Sequence, residues 1–376
     1  MKQLYRSLFL SSLSASVIGF MLPGYAAELA LTPVQITGMF SVGSIFALLG
    51  KPIAGKLCDH FGKKTVCLCG FCFTAISCLL LAFSQEVFLL YLSRIFAGTA
   101  TALLSVSVYM LLADQGEAEL SVNLGKQATA ENRGGWYGFY LCIFLIAFVG
   151  FHQGWKYFFV LCAIGATAAA WIARDIPYSK ASASLPTSPR KQSPNAIHLM
   201  IVRFCFSMAL NVLWVVIVII LTQRFLNNLT AAILIYFFPQ WSFNWIMPYV
   251  TASVKRVGEK KMFIAMGVVT PLILLLMAQC NELFFFGLLW FAYRVTVTAM
   301  RIAVDTLFSL ETEGHGGFAG IYSFSKQLGS IIASMLGGFL LQMFGEPAPF
   351  CTAALLFAVT VIVFHIKPRS AIIQMR

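Results

Sequence analysis

Acidic side chains are scarce in this chain, with 14 Asp and Glu against 26 Lys and Arg among 376 residues, and charged residues of all kinds make up only 11%. A soluble domain carries roughly 25% charged residues, so the chain cannot cover a water-facing surface, and a soluble enzyme is excluded. Histidine is scarce too: the five residues are scattered, which leaves no His/Asp cluster for a membrane-embedded catalyst. No G-x-x-x-x-G-K-S/T loop occurs, so ATP-driven transport lacks its phosphate cradle. Cysteine is not lacking, but most of the ten lie inside apolar runs. The C-x-C-x-x-C spacing of Cys67, Cys69 and Cys72 therefore reads as polarizable packing rather than a metal site.

What the chain has in abundance is apolar length. It is 59% hydrophobic, with a mean hydropathy of +0.83. The apolar stretches approach the ~20 residues needed to cross a ~30 Å hydrocarbon core. They predict an all-α membrane protein with twelve transmembrane helices near 6–26, 36–56, 65–83, 87–112, 121–150, 155–173, 198–222, 230–252, 262–280, 284–311, 317–342 and 347–366. Lys2, Arg6 and the apolar run before Gly24-Tyr25-Ala26-Ala27 imitate a cleavable signal peptide. The run continues the span pattern, so retention as the first span is expected.

Between the sixth and seventh spans lies a basic stretch rich in Ser and Pro, including Pro177, Ser182, Pro186, Ser188, Pro189 and Pro194. Its composition is that of a linker. It predicts a six-helix bundle at 1–175, a cytoplasmic linker at 176–197 and a second bundle at 198–376. Lys and Arg concentrate in alternate loops, at Lys51 to Lys64, Arg174 to Lys191, Lys255 to Lys261 and Lys367 to Arg376. That alternation is the positive-inside pattern, and it predicts a multi-pass protein of the inner membrane with both termini cytoplasmic. It also accounts for the net charge of +12 without a nucleic-acid partner.

The two halves repeat each other. Gly55-Lys56-Leu57-Cys58-Asp59-His60-Phe61-Gly62-Lys63-Lys64 follows the second span, and a segment with Lys255, Arg256, Gly258, Lys260 and Lys261 follows the eighth. Tyr91 to Arg94 in the fourth span is answered by Phe291 to Arg294 in the tenth. Internal duplication around a central site is a design of secondary transporters.

On these motifs the whole chain resembles the major facilitator superfamily. The family's loop motif, G-x-L-x-D-R-x-G-R/K-R/K, stands at Gly55, Leu57, Asp59, Gly62, Lys63 and Lys64, with His60 in place of the usual basic residue. The fourth-span R-x-x-x-G stands at Arg94 and Gly98. The eleventh-span small-residue pattern stands at Gly320, Gly329, Ala333, Ser334, Gly337 and Gly338, and the fifth span keeps the same count at Gly125, Gly134 and Gly138. The family's drug/proton antiporters carry a proline after that last glycine, where this chain has Phe139. The resemblance implies two pseudo-symmetric six-helix bundles, alternating access, and a monomer that works on a small molecule in the bilayer without a bound cofactor, driven by a proton gradient. It also implies gating by Asp59 across the interface between the halves, with Gly55 and Gly62 allowing close approach and a turn; Lys63 and Lys64 set topology.

The count from Gly125 and Gly320 gives Glu131 and Lys326 equivalent places, roughly 14–16 Å into their helices at 1.5 Å per residue. There an ionisable group costs at least about 2.5–3.5 kcal/mol without water or a partner. Glu131 and Asp305 are the candidate proton-coupling groups. Arg94, Arg294 and Lys326 are the candidate substrate cations, joined by the Gln240/Asn244 and Trp241/Trp245 stripes and by Asn211. Arg301 and Asp305, spaced i,i+4, are expected to pair. Arg133 completes a set of buried charges whose sum is positive, and such an interior attracts anions. The expected substrate is a small organic anion, a carboxylate metabolite or siderophore, and the alternative is a multidrug/proton antiporter exporting lipophilic compounds.

Overall fold

In the computed structural model, the described residues are 1–114, 117–149, 155–176, 194–225, 229–312 and 316–366. All regular structure among them is helical. The first half holds α1 (Lys2–Glu28), α2 (Pro33–Phe61), α3 (Lys63–Phe83), α4 (Val87–Ala113), α5 (Glu117–Val149) and α6 (Trp155–Ala173). The second holds α7 (Pro194–Trp214), α8 (Val216–Arg224), α9 (Leu229–Val257), α10 (Glu259–Gln279), α11 (Leu283–Thr312), α12 (Gly316–Phe344) and α13 (Pro347–His365). Val215 separates α7 from α8 but keeps near-helical dihedrals, φ −84° and ψ −41°, and Asn195–Arg224 forms a single apolar span. Among the described residues, the thirteen helices follow the plan of two six-span bundles, and nine spans are long and apolar enough to cross a membrane.

The chain divides into two compact units, Met1–Leu31 with Met39–Leu185, and Thr32–Gly38 with Pro186–Arg376. The expected linker at 176–197 falls largely on residues 177–193, outside the described residues. Each unit follows one packing plan. In the first, α1 packs on α5 and α6, and α3 packs on α4 and α6. In the second, α7 packs on α12 and α13, and α10 packs on α11 and α13.

Small residues set the register of that plan. A side chain on Gly134 would overlap the Phe9 carbonyl and meet Ser12, and one on Gly329 would overlap the Phe204 carbonyl and meet Ser207. The offset is the same on both partners, 195 residues (329 − 134 and 204 − 9). Helices in lipid gain little from hydrophobic transfer and associate through such close backbone approach. The alignment of Glu131 with Lys326 therefore holds in the packing of each unit.

Their neighbours on the first span of each unit are equivalent as well. Gly134 lies against Phe9 and Tyr5 reaches Asn123 (Oη to Oδ1, 3.2 Å), so Glu131 sits opposite the second turn of α1. Ser325 Oγ donates to the Met200 carbonyl (2.7 Å), in the second turn of α7. Within its own helix each charge stands well inside, Glu131 near the middle of Glu117–Val149 and Lys326 about a third of the way along Gly316–Phe344. α5 begins at Glu117, four residues before the expected start of the span at 121.

Each unit is tied at one end by one side chain from its first span. The Tyr25 hydroxyl donates to the Ser84 carbonyl at the C-cap of α3, and its ring meets Phe159 of α6 edge-on (5.6 Å). Arg224 donates to the Met277 and Cys280 carbonyls at the end of α10 (3.2 and 3.0 Å), bonds Glu346 (2.7 Å) and lies over Phe350 of α13 (5.9 Å). Both satisfy helix-end carbonyls that have no intrahelical donor. Turns at Gly62 (φ +86°) and Gly258 (φ +91°) join α2 to α3 and α9 to α10. That left-handed backbone explains why glycine stands at both places.

Candidate functional site

Arg94 is seated by two glycines. Gly98, one turn along α4, lies so close to α2 that a Cβ would overlap the Gly43 carbonyl, and a Cβ on Gly43 would stand 3.1 Å from the Arg94 carbonyl and 3.5 Å from its Nε and Nη2. The α2/α4 crossing thus fixes the guanidinium, with Cζ 4.8 Å from the centre of the Phe40 ring, within cation–π range. Arg94 Nε is buried and has no hydrogen-bond acceptor among the described residues. A buried donor without an acceptor is costly, and this one is charged.

Arg294 of α11 occupies a different setting. Its guanidinium lies 5.5 Å from the Trp214 ring and 5.9 Å from that of Trp290. Trp290 stacks between Tyr236 (5.5 Å) and Tyr293 (5.4 Å), and its Nε1 donates to the Tyr236 carbonyl (3.2 Å). Measured from the helix starts at Val87 and Leu283, Arg294 is one turn deeper than Arg94. The matched motif had equated the two arginines, yet the helix register puts Trp290 at Arg94's place. One bundle presents its cation on a phenyl ring, the other within a wall of indoles and phenols.

The third cluster was legible only in part. Arg203 of α7 is 3% exposed and sends Nη1 to within 3.4 Å of Asp305 Oδ1 on α11. Tyr322 of α12 donates to the same oxygen (2.7 Å), stacks on Phe308 (3.9 Å) and lies 5.4 Å from the Arg203 guanidinium carbon. The 3.4 Å approach is an ion pair rather than an aligned hydrogen bond, and Arg203 Nε has no acceptor among the described residues. Asp305 forms its ion pair across helices with Arg203, and Arg301, one turn before it on α11, is also attracted by its charge. Arg203 escaped the sequence reading, although a lone arginine inside Ile201-Val202-Arg203-Phe204 is itself a signal of an intramembrane site. Arg133 is exposed and not part of a buried set.

The loop motif also differs in detail. Lys63 forms an ion pair with Asp114, the C-cap of α4, with side chains 10% and 6% exposed. This lysine does more than fix topology: it closes the α3/α4 corner. Asp59 is exposed and Lys64 half-exposed, neither with an ion pair among the described residues, and His60 meets Phe61 edge-on (4.7 Å). A Cβ on Gly55 would meet nothing within 4 Å, so close approach is not what requires glycine there.

Glu131 is half-buried and accepts a bond from Gln127 Nε2 (2.8 Å); Lys326 is exposed. Asn211 spends its amide on the Ser207 carbonyl of its own helix (2.8 Å). The side chains of Gln240, Trp241 and Asn244 lie outside the described residues, as do Gly125 and Gly320, although their helices are described. Among the described residues no group of three or more His, Cys, Asp or Glu is placed to hold a metal.

Two six-span units on one packing plan, with charges held inside apolar helices, are the architecture of a polytopic membrane transporter. Residues 4–196, just over half of the chain, match the Major Facilitator Superfamily, and the chain belongs to that family. It is 29% identical over 111 residues to Multidrug resistance protein 1 of Bacillus subtilis, covering 30% of this chain and 28% of that one. It is 26% identical over 132 residues to the quinolone resistance protein NorA of Staphylococcus aureus, covering 35% and 34%. The matches thus span about a third or less of those relatives. The fold is that of the crystal structure of the nucleoside transporter NupG, with a TM-score of 0.74 at 14% identity over 97% of this chain and 99% of that one.

Proposed function

We propose that this protein is a secondary active transporter that moves a small organic anion across the cytoplasmic membrane by alternating access, coupled to protons, with its basic loops and both termini in the cytoplasm. Arg94 carries the reading. Its guanidinium is fixed by a glycine crossing and a phenyl face, while its buried Nε lacks an acceptor among the described residues. A carboxylate or phosphate oxygen supplies what that donor needs, and the planar fork of arginine suits such an anion. Asp305 is the group best suited to take the proton. It is held by Arg203 and Tyr322 on one side, yet its side chain is 44% exposed. Protonation would release Arg203 from its partner and change the packing of α7 on α11 and α12.

The test is uptake or efflux of labelled mono- and dicarboxylates and organic phosphates in proteoliposomes under an imposed pH gradient. Gradient-dependent flux of an anion, lost in Arg94→Gln, supports the reading; flux of neutral or cationic compounds alone overturns it.

A second reading has its own observation. The indoles and phenols around Arg294 offer flat apolar surface, and two relatives are named for drug resistance. Export of lipophilic drugs would show as energised efflux of hydrophobic dyes that Trp290→Ala weakens and Arg94→Gln spares. Phe139, in place of the antiporter proline, speaks against it.

A further inference from the structure

Arg6 and Arg133 have no part in the transport scheme, and the structure brings them to one place. A cleft of about 410 Å³ is bounded by α1, α5 and α6, with Arg6 and Arg133 at its rim and Phe9, Leu10, Ala130 and Ile172 among its walls. Both arginines are exposed, and among the described residues neither pairs with a carboxylate. Glu131, the nearest acidic neighbour in sequence, bonds Gln127 on another face of α5.

The cleft lies at the basic end of the first unit, where α1 starts at Lys2 and α3 at Lys63. Arg6 is in the second turn of α1, and Ile172 is next to the last residue of α6. Its surroundings are those of a lipid-facing surface: Trp171 is 68% exposed and Tyr137 is 58% exposed, the latter meeting Phe9 edge-on at 5.5 Å. Exposed Trp and Tyr at the end of a span mark the headgroup level. Along α5, Lys126, Arg133, Tyr137, Tyr140 and Phe144 recur at helical spacing, and all five are exposed. The stripe is cationic at the basic end and aromatic further along.

We propose that this cleft binds an anionic phospholipid, its phosphate between Arg6 and Arg133 and its acyl chains along Phe9, Leu10 and the aromatic stripe of α5. A guanidinium pair without carboxylates is complementary to a phosphodiester. The apolar walls explain why the ligand is a lipid and not a free anion, and basic pockets between spans at the cytoplasmic side are suited to such headgroups. The assignment rests on the basic end being cytoplasmic, but not on what Arg94 binds.

The test is native mass spectrometry of the full-length protein titrated with dioleoyl phosphatidylglycerol, dioleoyl phosphatidylcholine and sn-glycerol 3-phosphate. The phosphatidylglycerol adduct should be the tightest. Arg6→Gln and Arg133→Gln should each weaken it roughly fivefold, the factor equivalent to about 1 kcal/mol per basic residue near an anionic surface. Arg133→Lys should retain most of the affinity, and Lys255→Gln, in the other unit, should change nothing. Equal binding of phosphatidylcholine overturns the proposal, as does an equal loss in Lys255→Gln, which would mean diffuse surface attraction. Glycerol 3-phosphate binding as tightly as the lipid overturns it too, by making the cleft a site for soluble anions. Failure of anion transport in proteoliposomes would leave all of these outcomes untouched.

Discussion

Arg203 on α7 and Asp305 on α11 form an ion pair at 3.4 Å in which the cation is 3% exposed and the carboxylate side chain 44% exposed. One partner is therefore locked in protein while the other is open on one side. Removing the carboxylate leaves a buried charge without its counterion, the more damaging of the two ways to break such a pair. Asp305→Asn should abolish pH-gradient-driven accumulation while leaving exchange of substrate measurable, because Asn still accepts from Tyr322. Accumulation at the parental rate in that variant would remove Asp305 from proton coupling.

The α2/α4 crossing makes a packing prediction. Gly98→Ala places a methyl group on the Gly43 carbonyl, and neither backbone can retreat without separating the helices. Overpacking of this kind costs about 1–3 kcal/mol. The melting temperature in detergent should fall, and substrate affinity should fall with it because Arg94 loses its seat on Phe40. Gly55→Ala, where a Cβ meets open space, should leave both unchanged.

Lys63 and Asp114 predict a corner whose two charges matter only together. With side chains 10% and 6% exposed, Asp114→Asn should destabilise the first unit by about 3–5 kcal/mol. The double variant Lys63→Met with Asp114→Leu should recover most of that, since an apolar pair of similar volume serves as well. Thermal unfolding followed by tryptophan fluorescence distinguishes the two. A double variant as unstable as the single would show that the charges do more than hold the corner.

Glu131 and Lys326 occupy equivalent places in the two units. Glu131→Gln should remove proton-driven accumulation and keep exchange. Lys326→Ala should weaken anion binding by about ten- to a hundredfold, the range of one hydrogen bond to a charged group. Binding measured by scintillation proximity, with and without a pH gradient, separates the two effects. Parental behaviour in both variants would leave these residues a structural role only.

Composition and periodicity were sufficient for the membrane class, the twelve spans and the internal duplication, because a hydrocarbon core imposes length and apolarity on every crossing segment. The matching of Gly134 to Gly329, and with it Glu131 to Lys326, was also legible, since small residues at helix crossings leave a count in the sequence. Partner and exposure were not. Glu131 is half-buried and bonded to Gln127 of its own helix, while its counterpart Lys326 is exposed. Asp305 found an ion-pair partner in Arg203, more than a hundred residues away, in addition to its own-helix neighbour Arg301. Arg94 and Arg294, alike in motif, met a phenyl ring in one bundle and an indole wall in the other. A sequence dictates which helices must cross, because each solves the bilayer problem alone. Which faces those helices turn to one another is decided only when their close-packed surfaces meet, and that meeting chose the partner of each charge.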